Sequence, residues 1–197
     1  MSENKFVIIV NNLYDYFFQD RKLTPKITKP TKDQILVNYD QHGYIKFEME
    51  QPITIILIMN PMLISKTSNL PKILGQCRDG DDLISFIPNV KMTDSLASKM
   101  TKIKKEFPKW SFHLHDVLLI PVLHNPLVAK HEIMSDEQKT TLFSLNYINP
   151  SDLPLILTTD PCVIWLGAKD GDIIKVIDNS ETAVKSYSYR KVVHARL

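Results

Sequence analysis

Ile53 to Met59 is an almost unbroken apolar run rich in β-branched residues. It is far too short to cross a bilayer. It suits a strand buried on both faces, and such a strand needs other layers above and below it. The flanking sequence supplies them. Phe6, Ile9, Val10, Leu13, Tyr14, Phe17 and Phe18 recur at the spacing of an amphipathic helix over Lys5 to Gln19. Tyr44 to Glu50 alternates like a half-buried strand, and Leu83 to Ile87 is another short strand. Thr93 to Phe107 returns to helical spacing on Leu96, Met100, Ile103 and Phe107, with Thr93 as its cap. Trp110 to Leu123 reads as a strand, and Gln34 to Tyr39 as a short helix. Between them Arg21 to Lys32, with five basic residues and two prolines, is a loop or extended arm. The first ~120 residues therefore predict an α/β layer domain.

Asn125-Pro126 favours a turn and marks a boundary, giving modules over 1–123 and 124–197. In the second, acids open a helix over Asp136 to Leu145. Ser151 to Pro154 predicts a short helical turn. Val163 to Leu166 and Asp172 to Ile177, around Gly167 to Gly171, read as a β-hairpin, and Tyr187 to Val193 as a third strand. The expectation is a small α+β module with a mixed sheet.

The composition excludes several functions. With 24 basic and 22 acidic residues, the charge balance demands no nucleic acid. Two distant cysteines, Cys77 and Cys162, make neither a four-thiolate zinc site nor a secreted disulfide framework. The first residues lack a basic leader and a small-residue cleavage site, so the chain reads as intracellular, with no membrane partner. Phosphate-binding glycine loops are absent, so no cofactor is expected.

Four constellations leave alternatives open. Lys91, Lys99, Lys102, Lys104, Lys105 and Lys109 form either a duplex-facing surface or a solvated helix face. His113 and His115 share a strand face in the expected strand, with Asp116 beside them. They are either structural or two ligands of a metal lacking a third, and no metal site is expected. Asp170-Gly171-Asp172 lacks the spacing of a calcium loop and reads as a turn. Ser180-Glu181-Thr182 has no base placed beside it, so it is not a nucleophile.

One ordered set of motifs stands out after His124. Leu127-Val128-Ala129-Lys130-His131 is followed by Asp136-Glu137, Leu153-Pro154, Asp160-Pro161, the Gly167–Gly171 turn, Ser180-Glu181-Thr182-Ala183 and Tyr189-Arg190. In order and spacing it resembles the assembly module of one RNA polymerase subunit, either its short archaeal form or the fifth subunit shared by the eukaryotic nuclear polymerases. Ala129 replaces the family's proline, and Asp178 an arginine. The resemblance is specific over about 70 residues. The archaeal form lacks the first module, so the longer eukaryotic type is the nearer one. There the first module is a jaw resembling restriction-endonuclease folds, and Met92-Thr93-Asp94-Ser95-Leu96 corresponds to its tip, with Asp94 replacing a proline.

The resemblance implies a non-catalytic subunit of a DNA-directed RNA polymerase, with no catalytic residues. It implies docking on the largest subunit, and beside the sixth, small shared subunit, through His131, Asp160, Pro161, Gly167, Ser180, Glu181, Thr182, Tyr189 and Arg190. It implies a jaw near downstream duplex DNA, contacting it through Lys91, Thr93, Ser95 and Lys99, and no homo-oligomer. The departures and the Ile/Lys/Asn-rich composition point to a large cytoplasmic DNA virus, working in the host cytoplasm and virion. A divergent protist nuclear polymerase is the alternative, and would place the chain in the nucleus. The rival reading is a stand-alone nuclease-like or DNA-binding protein with a borrowed module. Against it, the central strands carry no Asp/Glu-x-Lys; Asp20-Arg21-Lys22 and Glu137-Gln138-Lys139 have that spacing but fall in the arm and a helix.

Overall fold

The computed structural model describes residues 3–65, 69–91, 93–146, 149–178 and 186–194. Ser180, Glu181 and Thr182 lie outside the described residues. Contacts divide the chain into two units, Met1–Ile120 and Pro121–Leu197.

The first unit opens on a helical run: α1 (Glu3–Asn12), a π turn (Leu13–Phe17) and α2 (Phe18–Asp20). α3 (Lys32–Gln41) begins at a capping box, with Thr31 accepting from the Gln34 N–H and the Gln34 side chain accepting from the Thr31 N–H. Four strands form one sheet in the order β1-β2-β3-β4: β1 (Tyr44–Glu48), β2 (Ile53–Ile58), β3 (Asp82–Ile87) and β4 (Trp110–Leu114). β1 runs antiparallel to β2, and the other pairs are parallel. The apolar run is indeed interior: Ile55, Ile56, Leu57 and Ile58 are completely buried.

Parallel neighbours need crossovers, and helices provide them. α4 (Met62–Ser65) and α5 (Asn69–Gly75) connect β2 to β3, and α6 (Asp94–Glu106) connects β3 to β4. Ile64, Leu70, Ile73, Met100 and Ile103 from these helices pack with Ile56, Ile58, Leu83, Ile87 and Trp110 on one sheet face. The N-terminal helices cover the other, where Phe17 meets Phe86 edge-on at 5.5 Å and Phe18 meets Phe47 at 6.0 Å. The two helices after β2 have no counterpart in the expectation from sequence.

The expected strand over Trp110 to Leu123 stops at Leu114. His115–Leu118 and Val122–His124 are 3₁₀ turns. Local bonds end the strand: the buried His115 bonds Asp116, and Asn12 donates to the carbonyls of Leu118 and Leu119 at 2.8 and 3.0 Å. An isolated apolar pattern cannot register such a side chain reaching back from α1.

The second unit has a mixed sheet in the order β5-β7-β8-β6: β5 (Lys130–Ile133), β6 (Leu155–Leu157), β7 (Ile173–Asp178) and β8 (Ser186–Val193). β6 lies parallel to β8; the other pairs are antiparallel. α7 (Asp136–Asn146) packs Leu142 against Met134, Leu153 and Ile173 on one face. α8 (Pro161–Leu166) packs Val163 against Ile156, Ile174, Val176 and Val192 on the opposite face. The expected hairpin is thus corrected: Val163 to Leu166 is helical. So is the expected helical turn at Ser151 to Pro154, which is a non-helical turn entering β6.

Asp81 anchors one end of the first sheet. It is almost fully buried, accepting from the buried Thr54 hydroxyl at 2.8 Å and from Arg78 Nε at 2.7 Å. Burial alone would raise its carboxyl, yet the hydrogen bonds from Arg78 and Thr54 outweigh burial and hold it below the usual range. Asp81→Ala leaves Thr54 without its acceptor and lowers stability by about 2 kcal/mol, with Asp81→Asn in between. Urea unfolding curves of the two variants check this order.

Candidate functional site

The residues implied as partner contacts fall into distinct structural roles. Asp160 and Gly167 stand at the two ends of α8. The Asp160 carboxylate accepts the Cys162 N–H at 2.8 Å, and Pro161 follows at the first turn, where a missing N–H is harmless. Gly167 ends the helix at φ +74°, its N–H donating to the carbonyl of Val163 at 3.0 Å. Three of the motif residues therefore act as punctuation for one short helix. That cap-and-glycine signature was legible in the sequence, but β-branched Val163 and Ile164 favoured a strand.

His131 and Arg190 lie on one sheet face. His131 registers with Val176 on β5–β7, and Arg190 with Ile174 on β7–β8. His131 Nδ1 lies 2.6 Å from the carbonyl of Ala129, which orients the ring, and Arg190 is exposed. Tyr189 points to the opposite face and packs on the Met134, Leu142, Leu153 and Ile173 cluster. The structure thus does not gather all the implied contacts into one patch.

What the sequence did not single out lies on Tyr189's side of the sheet. Leu155 is 59% exposed, Leu157 48% and Tyr187 51%. Leu155 registers with Lys191, and the Lys175 ammonium sits 4.3 Å from the Tyr187 ring centroid. The signal that could have found the leucines is their alternation about Ile156 directly after a proline: the middle residue is buried and its neighbours are not.

The loop after α8 is a turn. Asp172 accepts from the Lys169 N–H at 2.8 Å, Asp170 from the His194 N–H at 3.0 Å, and Gly171 has φ +88°.

In the first unit, Lys91, Thr93, Ser95 and Lys99 come together around a cleft of about 240 Å³ with Ile64, Val90 and Leu96. Thr93 caps α6, accepting from the Leu96 N–H at 3.3 Å. The wider lysine cluster divides. Lys104 donates to the Trp110 carbonyl, and burial lowers its ammonium. Lys109 donates to the carbonyl of Gly80 at 2.7 Å. Lys91, Lys102 and Lys105 are exposed.

His113 and His115 do not share a strand face, because His115 has already left β4. Among the described residues, no group of three or more His, Cys, Asp or Glu is placed to hold a metal. Burial pushes the Cys162 thiol up to about 11, helped by Asp160, so it is no thiolate nucleophile at neutral pH.

Comparison with known proteins decides what the second unit is. A family model described as RNA polymerase Rpb5, C-terminal domain, matches residues 120–192. The chain is 44% identical over 72 residues to DNA-directed RNA polymerase subunit Rpo5 of Pyrococcus horikoshii, covering 88% of that protein and 36% of this chain. The chain belongs to the Rpo5/Rpb5 family. The Thermococcus kodakarensis Rpo5 is 40% identical over 85 residues, 94% of its length and 43% of this chain. The subunit rpabc1 of RNA polymerases I, II and III from Dictyostelium discoideum is 36% identical over 76 residues, 39% of each chain. Within this family the α8 punctuation lies inside the matched segment, whereas the cleft around Lys91 lies outside it.

If Asp160 acts as a cap, Asp160→Ala lowers the stability of the second unit by about 1 kcal/mol, and Asp160→Ser restores most of it. Urea unfolding followed through Trp165, which sits within α8, measures both.

Proposed function

We propose that this chain is a non-catalytic subunit of a multisubunit DNA-directed RNA polymerase. Its second unit is the docking module, and its first is a jaw with a nuclease-like layer fold set near downstream DNA. The observation that carries this reading is the match of the second unit to nearly the whole length of archaeal Rpo5. Polymerase chemistry then belongs to other subunits.

The docking partner in this reading is the largest subunit, with the sixth, small shared subunit beside it. Exposed leucines and a tyrosine beside lysines suit such an interface, since aromatic and apolar side chains dominate interface cores. Arg190 and His131 offer polar contacts from the other sheet face; Ser180, Glu181 and Thr182 are proposed with them on the family motif alone. Asp160, Pro161 and Gly167 shape the module more than they touch a partner.

The downstream-DNA reading rests on Lys91 and Lys99 beside Thr93 and Ser95 in one cleft. Asp94 beside them opposes phosphate, so the contact is a weak electrostatic one. Wherever its polymerase works, in a viral factory and virion or in a nucleus, the chain works with it.

Reconstitution with the remaining polymerase subunits tests both surfaces. Leu155→Glu with Leu157→Glu, and separately Arg190→Glu, reduce incorporation at least tenfold while the free chain stays folded by circular dichroism; unchanged incorporation rejects the docking surface. Lys91→Ala with Lys99→Ala leaves assembly intact and lowers the salt dependence of downstream-DNA binding by one to two ions. An unchanged salt slope removes those lysines from the interface.

A further inference from the structure

Among the described residues, three nitrogens in the first unit are buried without a hydrogen-bond partner: Arg21 Nε, His113 Nδ1 and His115 Nε2. All three sit where the N-terminal helical run meets the edge of the sheet at β4. Arg21, just after α2, lies over the Phe17 ring at 4.9 Å. Phe17 touches Phe86, which lies 5.9 Å from the His113 ring. His115 is completely buried, edge-on to Phe6 of α1 at 5.7 Å, and Phe6 in turn meets Tyr39 of α3. Lys5 of α1 binds Asp116 at 2.6 Å, and the same carboxylate oxygen lies 2.9 Å from His115 Nδ1.

The charged groups facing these rings are therefore Arg21 just after α2, Lys5 from α1 and Asp116 from the 3₁₀ turn; β3 presents Phe86. Two cations face two imidazoles, and one carboxylate is already shared. Charging either imidazole places a cation in an apolar contact with its outer nitrogen unsolvated.

We propose that His113 and His115 form an acid-sensitive clamp: while both are neutral the N-terminal helical run is held on the first sheet, and their protonation releases it while the second unit stays folded. The sign of the pH effect agrees. Burial, with Arg21 adding repulsion, lowers His113 to about 4. Burial and then Lys5 lower His115, and Asp116 opposes without reversing them. Both groups ordinarily titrate near 6.5. The unfolded chain thus takes up protons that the folded unit refuses. Stability is fully present above about pH 6.5 and is lost as pH falls toward 4.

Among its described residues, the second unit lacks such groups. His124 and His194 are exposed, and His131 Nδ1 lies 2.6 Å from the Ala129 carbonyl. The archaeal Rpo5 relatives align with this part of the chain over 88% and 94% of their own length.

The two tryptophans report the units separately, since Trp110 lies in β4 and Trp165 in α8, both fully buried. The test uses the full chain carrying Trp165→Phe or Trp110→Phe, unfolded in urea at pH 7 and at pH 4 and constant ionic strength. The expected result is a fall of about a hundredfold in the folding equilibrium reported by Trp110, with little change for Trp165. His113→Phe with His115→Gln removes most of that fall. A Trp110 equilibrium that does not change between pH 7 and 4, equal responses from both tryptophans, or a double variant as acid-sensitive as the parent overturns the proposal. Should the double variant fail to fold at pH 7, histidine NMR titration of the unmodified chain decides. Both rings neutral at pH 5.5 in the folded state support the clamp; titration near pH 6.5 without loss of fold overturns it.

Discussion

The second unit depends on a helix of six residues. A helix that short does not form alone, because nucleation is unfavourable and few hydrogen bonds follow it. α8 exists because Asp160 satisfies a free N–H at its start, Pro161 presets its first turn, and Gly167 takes the left-handed conformation at its end. Between those ends Val163 and Trp165 are buried, and Val163 closes one face of the sheet. The helix also turns the chain from β6 at one sheet edge to β7 inside. Without it the mixed strand order β5-β7-β8-β6 has no connection.

This explains why a subunit motif can look functional while being architectural. Asp160, Pro161 and the glycine after the helix fix backbone geometry, and all three lie inside the segment that matches the family. The side chains proposed for docking lie elsewhere: Leu155, Leu157 and Tyr187 are exposed on one face, and His131 and Arg190 stand on the other. In the first unit Lys104 and Lys109 donate to backbone carbonyls, and Lys91 and Lys99 line the cleft.

The fold was most legible where one physical effect dominated. The buried run at β2, the amphipathic spacing of α6 under its Thr93 cap, and the three strands β3, β7 and β8 all rest on local periodicity. It was least legible where distant contacts decided. The end of β4 depends on Asn12 reaching Leu118 and Leu119 over a hundred residues away. α8 depends on capping outweighing the β propensity of Val163 and Ile164. The exposed leucines of β6 carried only a weak signal, one alternation about Ile156 in a strand of three residues. The ordered motifs marked the family correctly, and three of their residues, Asp160, Pro161 and Gly167, cap and end α8.

In the function proposed above, residues 121–197 carry the docking. The direct measurement is quantitative co-purification of polymerase subunits with a tagged 121–197 fragment and, in parallel, with a tagged 1–120 fragment. The account predicts that the first recovers the largest subunit in stoichiometric amount and the second does not. Recovery by 1–120 alone, or by neither fragment while the full chain also elutes by itself, contradicts it.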